Sequence, residues 1–353
     1  MTVRTAIVGA GWWSTRVHGP AIAGNPDAEP AIVCDADAGR ARQLAETLGV
    51  PWTTTVEGVI AAGIDAAVVA TPHHAHHAVA GPLLAAGVDV LVEKPMTLEP
   101  DQAWDLVHLA TESGAKLHVG YSFLHAPHAG RFRDLLADGQ LGDVAFFDGL
   151  FATAVQAFYR GDTSVQFAEG ASVQSMASTY SDPQHGGGHL QAQTTHALAM
   201  ALWCLQSAPK LVTADMSTFP NGAVDVSNAI ALELENGTLV NIASTGMVPL
   251  HDLRIERYVA FGSAGHADLD TVAETLELHR PGQERLLVAS GRDGSANPAS
   301  APVEDLVRCR LTDEEPVVPG WFGARVVEAT WAAARSSERA VAVSVDAWRE
   351  RSR

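Results

Sequence analysis

Five short runs of aliphatic and β-branched residues recur through the first 120 positions, and this rhythm narrows the possible folds more than any other feature of the chain. The runs are Thr5–Val8, Pro30–Cys34, Ala66–Ala70, Val88–Val92 and Leu117–Val119. Between them lie stretches of helical character at Trp12–Ala23, Ala38–Leu48, Val56–Ala62, Ala75–Ala86 and Pro100–Glu112. Strands that are apolar along their whole length, each followed by a helix, suit a parallel sheet with both faces covered. The expected class is α/β, with an N-terminal doubly wound parallel sheet.

The chain has 353 residues, too many for one core of the usual size. Two domains are expected, residues 1–122 and 123–353. Arg131 to Gly142 reads as a helix that ends on a glycine cap. Beyond it the pattern changes to strand-like segments at Val144–Phe151, Ala229–Leu234, Leu239–Ser244, Tyr258–Phe261 and Thr275–Leu278. Asn236-Gly237, Ser263-Ala264-Gly265 and Pro281-Gly282 supply turns between them. A large, mostly antiparallel open sheet is expected, with helices at Thr194–Leu205 and Trp321–Ala334. Ser290–Pro302, rich in Ser, Gly, Ala and Pro, reads as a surface loop.

Chemistry concentrates at the carboxyl ends of the first strands. Gly9-Ala10-Gly11-Trp12-Trp13-Ser14 leaves one strand and opens a helix. Gly9 permits the tight turn, Gly11 lets backbone approach a pyrophosphate, and Ser14 is a small residue where a third glycine is usual. Asp35 closes the second strand at the distance expected of a carboxylate that accepts from ribose hydroxyls. Asp35 and Asp37 together repel a 2′-phosphate, which favours NAD over NADP, while Arg40 and Arg42 pull the other way. Trp12 and Trp13 lie where they could pack on the cofactor or in a core. Val92-Glu93-Lys94-Pro95 places one ammonium beside a proline bend at another strand end, within reach of a nicotinamide and a substrate hydroxyl.

Two further segments are weighed against simpler readings. His73, His74, His76 and His77 form the densest histidine cluster, but no Cys, Asp or Glu joins it, so no metal site is expected. The polar loop from Tyr180 to Gly188 is either a plain connection or a wall of the substrate pocket, with Tyr180, His185 and His189 contacting hydroxyls. Tyr121 leaves its strand where it could line the same cleft.

Composition removes several function classes. Lys and Arg number 23 against 41 Asp and Glu, a formal charge of −18, which disfavours nucleic-acid and anionic-membrane partners. Three scattered cysteines suit a reducing compartment, no apolar run reaches the length of a membrane span, and no signal peptide is read at the N-terminus. A cytoplasmic protein is expected. Neither a nucleophile elbow nor a Walker lysine occurs.

In this order and spacing the motifs resemble the Gfo/Idh/MocA oxidoreductases over nearly the whole chain. They are the glycine fingerprint, Ala70-Thr71-Pro72 with His76, Glu93-Lys94-Pro95, Asp138-Gly139-Gln140-Leu141-Gly142-Asp143-Val144, and Gly186-Gly187-Gly188 followed by His196. The resemblance implies a Rossmann domain, a C-terminal α/β domain whose open sheet often joins subunits as dimers or tetramers, and bound NAD(P). It also implies hydride transfer at a secondary alcohol of a sugar, glycoside, inositol or related polyol. Lys94 would sit at nicotinamide and substrate, His196 would assist proton transfer, and Thr71, Pro72, His76 and Glu93 would line the cofactor. The chain departs from the family at Ala192 and Ala199, where acidic residues are usual, and at His73, where asparagine is usual. Gln193 lies three residues before His196, on the same helical face, and could hydrogen-bond it without supplying charge. Two other readings stay open: a lyase or glycosidase that oxidises its substrate transiently, and a dinucleotide-binding regulator without catalysis.

Overall fold

The computed structural model describes residues 2–162, 166–167, 171–172, 178–220, 222–249, 254–290 and 298–346. The N-terminal sheet contains β1 (Val3–Val8), β2 (Ala28–Cys34), β3 (Trp52–Thr53), β4 (Ala66–Val69), β5 (Asp89–Val92) and β6 (Leu117–Val119). Its order is β3-β2-β1-β4-β5-β6 and every pairing is parallel. β4 and β5 are buried at every position, as a sheet sandwiched between helices requires.

The C-terminal sheet has nine strands. β7 (Val144–Ala152) lies at its centre, between β12 (Leu239–Thr245) and β13 (Ile255–Gly262). β11 (Asp225–Leu234), β10 (Pro209–Thr218) and β17 (Val343–Ser344) continue on one side. On the other side follow β14 (Gly265–Asp270), β15 (Thr275–His279) and β16 (Leu286–Ser290). β8 (Gln166–Phe167) and β9 (Ala171–Ser172) form a separate hairpin. The large sheet is antiparallel except for the β7–β12 pair. Phe147, Phe151, Tyr258 and Ile242 point inward, where the helices Thr195–Leu205, Pro127–Ala137 and Gly320–Arg339 cover the sheet. The alternate residues Phe146, Leu150, Leu239, Ile255 and Phe261 share the opposite, open face.

The expected strands and helices are present, with four differences. The expected helix at Trp12–Ala23 contains a π-helical turn, Ser14–His18, before α-helical Gly19–Gly24. Residues 291–297 of the expected loop Ser290–Pro302 lie outside the described residues, and its end already belongs to a helix, Ala301–Thr312. The last helix extends to Gly320–Arg339. β3, β8, β9, β10, β14, β16 and β17 lie outside the expected strands; β10 alternates mostly polar exposed residues with buried ones and lacks a hydrophobic run.

The chain returns across the division at residue 122. Val303, Leu306 and Val307 of the helix Ala301–Thr312 pack into the cluster holding Ile7, Val68 and Leu91 from β1, β4 and β5. Asp305 locks that helix in place: it accepts from His118 of β6 at 3.3 Å, from Arg308 at 2.6 Å and from the Val317 amide at 3.0 Å. Burial pushes the Asp305 carboxyl up, but the bonds from His118 and Arg308 outweigh it and hold it below the usual carboxylate range. Asp305→Ala leaves buried His118 and the Val317 amide without their acceptor and should destabilise the fold by about 3 kcal/mol. Urea unfolding followed by tryptophan fluorescence reads this as a lower midpoint at neutral pH.

Candidate active site

The winding of the parallel sheet reverses between β1 and β4, and ligands of open α/β sheets collect at that crevice. Gly9 follows β1 with φ +99°, and a Cβ there would stand 2.5 Å from the Ala70 carbonyl oxygen. Only glycine fits. A Cβ on Gly11, by contrast, would meet nothing within 4 Å. The space above Gly11 is therefore open to a ligand. Ser14 is more than a small residue in the third glycine position, because its buried hydroxyl donates to the Gly9 carbonyl and ties the turn to the helix.

Asp35 stands at the end of β2 as expected. One carboxylate oxygen accepts from the Ala10 amide at 2.8 Å, and the other accepts from the Asp37 amide and from Arg40, each at 2.8 Å. It thus braces the glycine loop. The oxygen bonded to Ala10 keeps its second lone pair, an acceptor suited to a ribose hydroxyl.

The π turn after the glycine loop places His18 over β5. The Gly19 amide bonds to the Ser14 carbonyl, five residues back, so one extra residue is absorbed without breaking the helix. His18 is fully buried, and its Nε2 lies 2.9 Å from Glu93 Oε1. The other Glu93 oxygen accepts from the Lys94 amide at 3.2 Å. Burial pushes the Glu93 carboxyl up, but His18 and Lys94 more than offset this and hold it below its ordinary value. Glu93 therefore serves as an anionic anchor beneath Lys94.

Lys94 reaches across to the C-terminal domain and donates to the Ala192 backbone carbonyl at 2.8 Å. Burial lowers its ammonium to about 8, with Glu93 opposing the shift. Ala192 lies in a second π turn, Leu190–Thr194, which leads into the helix Thr195–Leu205. Its methyl group packs with Tyr159, Val224 and Val226, so the residue offers the crevice its carbonyl and not a side chain. Asp225 accepts from the Leu190 amide at 2.8 Å at the start of this segment.

His196 begins that helix and packs between aromatic rings, edge-on to Phe123 at 4.8 Å and stacked on Phe151 at 5.9 Å. Tyr121 meets it edge-on at 5.8 Å and bonds to the Thr195 hydroxyl at 2.6 Å. Burial keeps the His196 imidazole far below its usual pKa, with Lys94 and Arg254 adding to the effect. The ring is neutral at neutral pH. Tyr121 is fully buried and positions the histidine, so its expected contact with substrate is not what its hydroxyl does here.

The other expected site residues divide into two groups. Trp12, Trp13, Thr71 and Gln193 are part-buried around the crevice, and Pro72 is exposed at its edge. His76 is fully buried with Nδ1 2.9 Å from the Pro95 carbonyl and Nε2 2.9 Å from the Thr71 carbonyl. It braces the two cofactor-side loops and does not line the cleft. His189 also requires correction. It is fully buried, with Nδ1 2.9 Å from the Tyr159 hydroxyl and Nε2 2.7 Å from Ser244 Oγ. Ser244 spends its own proton on the Phe151 carbonyl, so the histidine is held from both sides inside the domain. His185 stacks on His74 at 4.6 Å near the surface. The histidine run disperses: His73 meets the Gly186 carbonyl at 3.0 Å, and His77 meets Asp105 at 2.7 Å. His18 and the Ala192 carbonyl were missed from sequence. A π turn has no residue signature, and a backbone acceptor has no residue type.

Several buried polar atoms around the crevice have no protein partner: Trp13 Nε1, His18 Nδ1, Thr71 Oγ1, Gln191 Oε1 and His196 Nδ1. Buried groups of this kind are rare unless a ligand or water serves them. With the open space above Gly11, they fit a dinucleotide and a polar substrate.

Comparison with known proteins agrees with this geometry. Residues 3–121 match the model for the oxidoreductase family with an NAD-binding Rossmann fold, and residues 129–268 match the GFO/IDH/MocA C-terminal domain. The chain belongs to the GFO/IDH/MocA family and is an NAD(P)-dependent oxidoreductase. It is 27% identical to inositol 2-dehydrogenase of Rhizobium meliloti over 89% of this chain and 85% of that protein. It is 29% identical to dTDP-3,4-didehydro-2,6-dideoxy-alpha-D-glucose 3-reductase of Streptomyces antibioticus, over 79% of each. The structure of GenD2 from gentamicin A biosynthesis in complex with NAD superposes with a TM-score of 0.79 at 24% identity, covering 97% of this chain and 96% of that one. At that identity the likeness shows the fold.

The two glycines should respond differently to substitution. Gly9→Ala forces a side chain onto the Ala70 carbonyl and should lower the melting temperature by several degrees. Gly11→Leu projects into open space and should leave the melting temperature within about 2 °C, while weakening NADH binding at least about 10-fold in fluorescence titration.

Proposed function

We propose that this oxidoreductase acts on a secondary alcohol or ketone of a sugar, glycoside, inositol or related polyol, with NAD favoured over NADP. The observation that carries the reading is the placement of Lys94: an ammonium at the crevice, held by a neutral carbonyl and adjacent to neutral His196. The printed activities of the inositol and dTDP-sugar relatives support a carbohydrate-like substrate. The preference for NAD rests on Asp35 and Asp37, whose two negative charges outnumber that of Arg40 where a 2′-phosphate would lie.

When bound, the nicotinamide gives or takes the hydride at the substrate carbon. The Gly9–Gly11 backbone, Asp35 and Thr71 would hold the cofactor. Lys94 donates a hydrogen bond to the reacting oxygen and stabilises the negative charge that develops there. With its ammonium brought down to about 8, Lys94 can both release and take up the proton near neutrality. His196 is too weak a base to hold that proton at neutral pH, so it orients the hydroxyl as a neutral hydrogen-bond partner. Phe123, Phe151 and Tyr121 pack around it and keep water from its sides.

The sign of the pH dependence follows. Alcohol oxidation needs neutral Lys94, so kcat/KM should rise with pH through about 8. Ketone reduction needs the ammonium, so kcat/KM should fall through the same region. Parallel profiles in the two directions would remove Lys94 from the proton-transfer role. Lys94→Met should reduce turnover by at least about 1,000-fold while NADH affinity stays within about threefold. Near-normal turnover on a sugar and polyol panel would refute the assignment.

We further infer a homodimer or homotetramer formed through the open face of the C-terminal sheet, and a cytoplasmic location. Phe146, Leu150, Leu239, Ile255 and Phe261 form an exposed apolar surface there, larger than isolated surface hydrophobes. The three cysteines are buried and free, as suits a reducing compartment, and no helix of the described residues is long and apolar enough to cross a membrane. Leu150→Asp combined with Phe261→Asp should convert the assembly to monomers in sedimentation velocity. An unchanged sedimentation coefficient would place the subunit contact elsewhere.

A further inference from the structure

We propose that Arg254 reads an anionic group on the substrate, so that this enzyme takes carbohydrates bearing a carboxylate or a phosphate ester. The proposal rests on the functional reading above and deepens it.

The sheet register fixes the direction of this side chain. Glu256 of β13 pairs with Phe151 of β7, which puts both on the inward face of the sheet. Arg254 precedes Glu256 by two residues, and successive residues of extended chain alternate faces, so Arg254 points to that same side. Contacts agree with this. Phe151 stacks on His196, and the Arg254 guanidinium lies 4.7 Å from the centroid of Phe123, the ring that meets His196 edge-on. A single aromatic ring thus separates the guanidinium from the catalytic imidazole. The charge is felt there, since Arg254 contributes to lowering the His196 pKa.

This cation is only partly committed within the protein. Its ion pair with Glu256 spans 3.6 Å, beyond hydrogen-bond range, and the other Glu256 oxygen is occupied by the Tyr258 hydroxyl at 3.2 Å. About a quarter of the Arg254 side chain is exposed, whereas Glu256 is almost wholly buried (26% and 1%). Nearby, Thr153 follows β7 on the same face, and its hydroxyl is buried without a partner. His196 Nδ1 is likewise unpartnered. A guanidinium fork and an unpaired hydroxyl beside a neutral histidine form a set suited to carboxylate or phosphate oxygens.

The charge balance of the cleft points the same way. Lys94 meets a backbone carbonyl and not a carboxylate, and Ala199 is buried among apolar residues. Glu93 is turned to His18 on the cofactor side. The substrate side is left with Lys94 bonded to a carbonyl and Arg254 held by its 3.6 Å ion pair with Glu256. Among the described residues, neither cation donates a hydrogen bond to a carboxylate, and an anionic substrate would supply one.

The test compares methyl glucoside, glucuronate and UDP-glucose with the wild type, Arg254→Gln and Arg254→Lys, together with NADH binding by fluorescence. Wild type should favour one anionic probe over methyl glucoside in KM or in inhibition constant. Arg254→Gln should weaken that probe about 10- to 100-fold, as loss of a charge-assisted bond implies, and Arg254→Lys should restore part of the loss. A response to glucuronate identifies the carboxylate, and a response to UDP-glucose the phosphate ester. If Arg254→Gln weakens neutral and anionic probes alike, or the wild type does not discriminate, Arg254 is a packing residue and the proposal is overturned. NADH affinity should stay within about twofold in both variants. Failure of the wild type to bind NADH would instead overturn the oxidoreductase reading itself.

Discussion

The hydrogen bond from the Lys94 ammonium to the Ala192 carbonyl ties the parallel-sheet side of the crevice to the segment that leads into the helix Thr195–Leu205. The cation follows a strand of the parallel sheet, and its acceptor belongs to a π turn beyond it. Both ends are prepared by buried structure. Glu93 and His18 fix the backbone of Lys94 from below, and Asp225 holds the start of the segment carrying Ala192. A carbonyl dipole stabilises an ammonium less than a carboxylate does, which leaves burial as the dominant influence on Lys94. The proposed proton exchange near neutrality and the proposed attraction for a negative substrate would then have the same origin.

The two π turns play matching parts. Each adds a residue to a helix beginning at the crevice: Ser14–His18 after the glycine loop and Leu190–Thr194 before His196. The first delivers an imidazole to Glu93, and the second turns a carbonyl toward Lys94. Helical irregularities of this type concentrate at functional sites because they free or redirect groups that a regular helix would consume.

Much of this was legible in the order of residues. The parallel sheet announced itself through apolar strands alternating with helices, and Gly9, Asp35 and Lys94 stand at the strand ends where their spacing placed them. The antiparallel sheet was legible wherever strands alternated clearly, as in β7 and β11, and was missed at β10, whose outward residues are polar. Histidines were the least readable. His73, His76, His185 and His189 looked alike as candidates, yet His76 and His189 are buried braces, distinguished only by which carbonyls and hydroxyls the fold brings to them. His18 was passed over because a lone histidine in a helix gives no hint of a partner 75 residues away.

The return of the helix Ala301–Thr312 to the first sheet bears on biosynthesis. The parallel strands leave the ribosome long before the segment that completes their underside, and Ile7, Val68 and Leu91 lack part of their packing until Val303, Leu306 and Val307 have been made. The packing of the N-terminal half is therefore completed only when Ala301–Thr312 docks, and until then part of that apolar face lacks its cover.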